Sequence, residues 1–326
     1  MVVPHLYAVC MANKDCEFTF LTQPFLSSLL VNAPKNLEVM TFDKKNNGSI
    51  WDLVVFANRI RKEKFDIIID LHDVLRTKII RYWSSFACKT KIYSIDKRRR
   101  IREKLISGCR DIDMPSISYI YREAILKANL NEIGSIKTID INGYSPSDKL
   151  YEYLNVPVKI GLAPFASKRS KEVDMDFISQ IIDYISKNTT AKIFLFCAKS
   201  EMKKAESLIS RHKDTIIPIC GHWGFANELF LISRLSCMVS MDSANMHLSS
   251  MVGTPVISLW AGTSPRCGFL GIGQRKADVI ETNIDCAPCS VFGTDKCKFS
   301  HFNCTKNMDL DKITDRINFY IDNNSK

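Results

Sequence analysis

Residues 237–263 read CMVSMDSANMHLSSMVGTPVISLWAGT, and this stretch sets the architecture. Cys237–Met241 and Val256–Trp260 are short runs that are apolar on both sides, which marks strands buried on both faces of a sheet. Between them, Ala244–Val252 has helical spacing, Gly253 suits a helix C-cap, and Thr254-Pro255 opens the next strand. A strand, a helix and a second such strand in close order indicate a parallel sheet covered by helices. The first junction is polar. Asp242 or Ser243 can act as N-cap, and the remaining free N–H groups with the positive end of the helix dipole suit an anion such as a diphosphate. His247 lies four residues beyond Ser243, so both share one helix face and one mouth. Residue types alone leave open a purely structural role, capping for Asp242 and Ser243 and packing for His247.

The same rhythm extends in both directions. Downstream of residue 150, strands at Val156–Ala163, Ala191–Cys197 and Thr215–Ile219 alternate with helices at Phe177–Lys187, Glu201–Arg211 and Asn227–Leu235. Upstream, strands at Glu17–Thr22, Leu37–Phe42, Phe65–Asp70 and Lys91–Ser94 alternate with helices at Gln23–Leu30, Ile50–Lys62 and Val74–Phe86, and Tyr119–Ala128 is also helical. The Gly143–Pro146 stretch is the natural linker. These elements predict an α/β protein of doubly wound halves over 1–150 and 151–308, with a helix in 309–326 able to pack back toward the first half. Ligand clefts in such sheets lie at the C-terminal ends of strands.

A length of 326 residues fits two domains of roughly 150 residues each, and 46% hydrophobic with 25% charged residues is the profile of a folded protein. No apolar run approaches the roughly 20 residues that span a bilayer. The first residues lack a signal-peptide pattern, which predicts a cytosolic address. A formal charge of +10 points to anionic partners: nucleic acid, phosphorylated substrates or an acidic membrane face, among which composition does not choose.

The stretch D-S-A-N-M-H-L followed by T-P-V-I-S-L-W-A-G-T resembles the donor-binding signature of glycosyltransferase family 9, the lipopolysaccharide heptosyltransferases, and Ile160–Lys171, IGLAPFASKRSK, resembles a second motif of that family. The resemblance implies a GT-B fold, in which two Rossmann-like domains face a central cleft, and a nucleotide-sugar site formed by Ser167, Lys171, Asp242, Ser243, Ala244 and His247, with Glu201 near the nucleoside. Ala244 replaces the usual glycine. It further implies inverting transfer of a heptose, from ADP-heptose or a related nucleotide-sugar, to an anionic lipid-linked saccharide of the lipopolysaccharide core. The same resemblance implies that no cofactor is required, that no nucleic acid is bound, and that the enzyme works in the cytoplasm in peripheral contact with the inner face of the inner membrane. Lys171 is suited to meet the charge of a departing diphosphate.

On the acceptor side, Asp70-Leu71-His72-Asp73-Val74-Leu75-Arg76 follows an apolar strand and resembles the family's acceptor loop. Asp70, His72, Asp73 and Arg76 are the candidate acceptor contacts, joined by Arg98, Arg99 and Arg100 of the basic run Lys97–Lys104, which could equally be a solvated helix start. The family opens with an apolar strand and a Gly-Asp loop whose aspartate is the general base. Here Met1–Tyr7 resembles the helix that follows that loop. The catalytic base is therefore unassigned, with Asp73 the substitute candidate, and the alternative is a nucleotide-sugar-binding paralogue without turnover. A wrongly assigned start would also account for the missing segment.

Of the twelve cysteines, Cys286, Cys289, Cys297 and Cys304 cluster as C-x2-C-x7-C-x6-C. Structural zinc, with His301 able to replace one ligand, free thiols and disulfides are all compatible with that spacing. The Asp-x-Asp pairs at Asp111–Asp113 and Asp174–Asp176 are better explained as capping or local pairing than as metal motifs.

Overall fold

The computed structural model describes all residues except 47–48, 87–88, 110, 132–137, 222 and 325–326. The chain divides into two compact units: an N-terminal unit of residues 2–98 and 115–137, and a C-terminal unit of residue 1, residues 99–114 and residues 138–326.

The N-terminal unit begins with helix α1 (Val3–Ala12), where Pro4 suits the first turn, since its missing N–H has no helical partner there. Strands β1 (Phe18–Thr22) and β2 (Leu37–Thr41) pair in parallel, as do β3 (Ile67–Asp70) and β4 (Lys91–Ser94). Among the described residues no strand joins the two pairs. Helix α2 (Ile50–Lys62) starts on a capping box: Ser49 Oγ accepts from the Asp52 N–H, while the Asp52 carboxylate accepts from the Ser49 N–H. Helix α3 (Leu75–Ser85) packs beside it. Phe42, Leu53, Phe56, Ile60 and Ile80 form the core under these helices. Helix α4 (Arg99–Ile106) belongs to the C-terminal unit, and helix α5 (Ile117–Lys127) to the N-terminal one.

The C-terminal unit carries the sheet that positions the site. After the short helix α6 (Asp148–Glu152) come β5 (Lys159–Ala163), α7 (Met175–Asn188), β6 (Lys192–Leu195), α8 (Met202–Arg211), β7 (Ile216–Pro218), α9 (Phe225–Ile232), β8 (Cys237–Met241), α10 (Ala244–Met251), β9 (Val256–Trp260), β10 (Val279–Glu281) and α11 (Leu310–Asn324). The six strands are parallel in the order β10-β9-β8-β5-β6-β7. Every residue of β8 and β9 is buried, as expected of strands covered on both faces. Asp174 caps α7 by accepting the Asp176 N–H.

The apolar stripe of α7 (Phe177, Ile178, Ile181, Ile182, Ile185) packs into this core together with Ile313, Ile317 and Tyr320 of α11. Asp278, buried just before β10, accepts from Arg316 Nε at 2.6 Å and from the Tyr320 hydroxyl, so one carboxylate fastens α11 to the sheet edge. Removing it leaves a largely buried guanidinium without its counter-ion. Asp278→Ala is therefore expected to destabilise the protein by about 3 kcal/mol, measured as a lower midpoint in urea unfolding, with Asp278→Asn recovering part of the loss. An unchanged midpoint for Asp278→Ala would show that the carboxylate does not hold the helix.

Candidate functional site

Strands β5 and β8 are neighbours, with Ala163 paired to Ser240. From β5 the chain proceeds outward to β6 and β7, whereas from β8 it proceeds outward on the opposite side to β9 and β10. The connections leaving these two strands therefore diverge, and the C-terminal ends of β5 and β8 bound a crevice. A cavity of ≈ 710 Å³ occupies that place. Ser167 and Lys171 reach it from the β5 loop, Glu201 from the end of β6, and Asp242, Ser243, Ala244 and His247 from the β8–α10 junction. All the donor-side residues marked by sequence thus line one cavity.

The charged centre is a close pair. Lys171 Nζ lies 2.8 Å from Asp242 Oδ2, with both side chains largely buried, and the Thr263 hydroxyl donates to the same carboxylate oxygen at 2.9 Å. Ser243 is the N-cap of α10 by position, but its hydroxyl makes no capping bond and sits 3.2 Å from Ser240 Oγ. The first-turn N–H groups of α10 are left without a side-chain cap, contrary to the capping expected from sequence, and with the helix dipole they favour an anion. His247 projects from the same helix. Burial, with nearby positive charge that includes Lys171, lowers its pKa to about 3, so the ring is neutral at physiological pH, and its buried Nδ1 has no protein partner. Glu201 Oε2 accepts from the Ala198 N–H at 2.7 Å, which fixes the loop after β6.

Other residues of the site carried no sequence signal. Gly293 (φ +80°) lies against the Lys171 stem: a Cβ there would come within 2.9 Å of Lys171 Cγ and 2.8 Å of Lys168 Cβ. Gly262 presses on Ser170, donating its N–H to Ser170 O at 2.7 Å. These two contacts clamp the turn that presents Lys171. Glu228, on the first turn of α9, also lines the cavity, and burial raises its pKa to about 7. Phe165, Phe196, Phe225, Phe269 and Phe292 form apolar walls. Arg102 of α4 is buried, with its guanidinium carbon 5.3 Å and 5.4 Å from the Phe269 and Phe292 ring centres; the basic run thus contributes one arginine that packs on aromatic rings.

In the N-terminal unit the acceptor candidates are tied into the fold. Asp70 is buried: Oδ1 accepts from the His72 and Asp73 N–H groups and Oδ2 from Arg81 Nη1 at 3.0 Å. Asp73, at φ 45°, has its carboxylate 3.2 Å from Arg81 and 3.6 Å from Lys78. Arg81 is the organising cation of this loop and was not marked by sequence. His72 is exposed, Arg76 half-buried. Arg98 makes a bidentate bond to Glu123 at 3.0 and 2.9 Å, while Arg99 and Arg100 are exposed on α4.

The zinc site left open by the cysteine spacing is not formed: among the described residues no group of three or more His, Cys, Asp or Glu side chains is placed to hold a metal ion. The thiols are still near enough to interact: burial raises the pKa of Cys289 and Cys304, and the neighbouring cysteines of the cluster add to both shifts. Cys289 Sγ faces Gly262 O at 3.7 Å. The Cys297 thiol is held below its usual range by the N–H groups of Phe302, Phe299, His301 and Ser300, and Cys304 is buried.

The sequence profile of glycosyltransferase family 9 (heptosyltransferase) matches residues 54–298. The chain is 24% identical over 264 residues to the lipopolysaccharide core heptosyltransferase OpsX of Haemophilus influenzae, covering 76% of this chain and 71% of that protein. In structure it resembles the ADP-heptose lps heptosyltransferase II of E. coli, with TM-score 0.69 at 13% identity over 100% of this chain and 96% of the other. A glycosyl transferase family 9 protein of Veillonella parvula gives TM-score 0.71 at 14% identity, over 98% and 92% of the two chains. The fold is that of the GT-B glycosyltransferases.

Two outcomes follow from this geometry. Gly293→Ala places a Cβ at positive φ against the Lys171 stem, at a strain cost of about 1–2 kcal/mol, and is expected to weaken ADP binding in calorimetry; undiminished affinity would show that the clamp does not position the lysine. Glu228, raised to about 7 when folded from an unfolded value near 4.3, keeps its proton in the folded state across that window. Its contribution is present at low pH and is lost as pH rises through about 7. Glu228→Gln should therefore raise Tm at pH 8 more than at pH 5, and equal shifts at both would contradict a buried carboxyl.

Proposed function

Because the chain belongs to glycosyltransferase family 9, the heptosyltransferases, we propose that it moves a heptose or related sugar from a nucleotide-sugar, ADP-heptose, to a saccharide of the lipopolysaccharide core, with inversion. The observation that carries this reading is the convergence of Ser167, Lys171, Glu201, Asp242, Ser243, Ala244 and His247 on one cavity. Its composition matches the ligand: an uncapped helix start and an ammonium for the diphosphate, phenylalanine walls for the nucleoside, and the Glu201 carboxylate with the Glu228 carboxyl to bond its hydroxyl or amino groups. The names of the relatives, a lipopolysaccharide core heptosyltransferase and an ADP-heptose enzyme, support the same choice.

In the proposed reaction the acceptor hydroxyl oxygen attacks the anomeric carbon as the bond to the diphosphate oxygen breaks, and the hydroxyl proton passes to a base. Negative charge grows on the departing diphosphate. Lys171 and the α10 N–H groups meet it from fixed positions, which is where preorganised charge lowers a barrier. Asp242 acts as a positioning residue: its ion pair and the Thr263 bond hold the Lys171 ammonium in the cavity lining. Neutral His247 offers a ring nitrogen to the donor without adding charge. The N-terminal half receives the acceptor, with His72 and Arg76 as contacts for its anionic groups, while Asp70 shapes their loop. The lipid-linked acceptor places the enzyme at the cytoplasmic face of the inner membrane, in peripheral contact with it. A second reading, nucleotide-sugar binding without turnover, is favoured by one observation: Arg81 and Lys78 already hold the carboxylate of Asp73, the candidate base.

Calorimetry with ADP and turnover of ADP-heptose distinguish these readings. Lys171→Ala is expected to weaken ADP binding about 30-fold or more, the equivalent of roughly 2 kcal/mol for a charge-assisted contact, and His247→Ala to weaken it less. Wild-type protein that does not bind ADP would remove the proposed pocket. ADP binding without sugar transfer would select the non-catalytic reading.

A further inference from the structure

Helices α2 and α3 of the N-terminal unit expose large apolar side chains at matching positions. On α2, residues 51, 55, 58 and 62 follow i, i+4, i+7, i+11 spacing, opposite the buried Leu53, Phe56, Ala57 and Ile60. Trp51 is 75% and Val55 67% exposed. On α3 and its C-cap the same spacing gives residues 75, 79, 82 and 86: Leu75 is 77%, Tyr82 60% and Phe86 71% exposed, while Ile79 is partly buried against the core. Trp83 joins the two rows: its Nε1 donates to Asn58 Oδ1 on α2 at 3.1 Å. Adjacent helices thus share one outward surface rich in tryptophan, tyrosine and phenylalanine. Such area left in water is unfavourable and marks a contact surface.

Charge selects the partner. The two helices carry Arg59, Arg61, Lys62, Arg76, Lys78 and Arg81 against the single acid Asp52. Arg81 is turned inward onto Asp70 and Lys78 is paired with Asp73, which leaves Arg59, Arg61, Lys62 and Arg76 around the aromatic rows. Aromatic rings with basic side chains at their margin match the interfacial zone of an anionic bilayer, where rings sit at headgroup depth and cations meet phosphates. A two-fold contact with a second copy would instead set this cationic margin against itself.

We propose that the α2–α3 surface docks the protein on an anionic lipid bilayer. Its rows lie in the plane of the interface and do not span it; no described helix is long and apolar enough to cross a membrane. This assignment rests on the lipid-linked acceptor proposed above for its purpose, while the surface is defined by these residues alone.

The test is co-flotation of the full chain with phosphatidylethanolamine–phosphatidylglycerol vesicles and with phosphatidylcholine vesicles, alongside ADP calorimetry and sedimentation. Wild-type protein is expected to partition onto the anionic vesicles, more weakly onto neutral ones, and less at high salt. Replacing Trp51, Val55, Tyr82 and Phe86 together by serine should lower partitioning about tenfold or more. Arg59→Gln, Arg61→Gln and Lys62→Gln combined should remove the preference for anionic vesicles without touching an apolar residue. Both variants should bind ADP as wild type does, which shows that they are folded. Wild-type protein that floats with neither vesicle overturns the proposal, as do variants that float as well as wild type. So does a dimer that dissociates in the serine variant while vesicle partitioning stays unchanged. Vesicle binding that responds to both variants, in a protein that never binds ADP, supports the surface and removes the nucleotide-sugar reading.

Discussion

The ion pair between Lys171 and Asp242 is the constraint on which the site depends. It joins the connections leaving two adjacent strands, β5 and β8, at the point where the sheet changes direction of winding. Because both strands are parallel and buried, their C-terminal ends are fixed side by side by backbone bonds, and their loops must part above them. A cation from one loop and a carboxylate from the other meet across the resulting gap. The pair is largely withdrawn from water, so its geometry has to be enforced. The Thr263 hydroxyl and the close approaches at Gly262 and Gly293 do this, since a side chain at either glycine would collide with the turn that carries the lysine.

Around that pair the cavity is electrically graded. At one end stand the ammonium and the uncapped start of α10, both able to take up negative charge. His247 lines the same cavity, and burial keeps it neutral. Along the walls are phenylalanines, and Glu228 is a carboxyl whose ionisation is opposed by the same burial. An elongated ligand with an anionic middle and a flat, largely apolar end is the natural complement of such a gradient.

The N-terminal unit uses similar residue types differently. Asp70 and Asp73 end a buried strand, where polar groups often meet ligands. Here their carboxylates are occupied by two N–H groups, Arg81 and Lys78, so they build the loop. Arg98 is likewise held by Glu123, and Arg102, from the run that looked solvated, is buried on two aromatic rings. Arg98 and Arg102 find partners far along the chain, whereas Asp70 and Asp73 are held by residues within the same strand–loop–helix segment.

The alternation of apolar strands and amphipathic helices was legible from sequence because periodicity reflects which face is buried. Strands β4, β8 and β9 and helix α2 fall where that period places them. Shorter elements, α6 and β10, were missed, since three to five residues carry too little period to read, while the helix of the basic run was one of two readings left open. The donor residues were legible too, because they sit at strand ends next to a helix start, a position the local chain defines by itself. Tertiary structure alone decided which charges are neutralised, which glycines must be glycine, which rings wall the cavity and whether the cysteines converge. Those properties depend on distances between segments tens to more than a hundred residues apart, and the order of residues along a chain does not contain such distances.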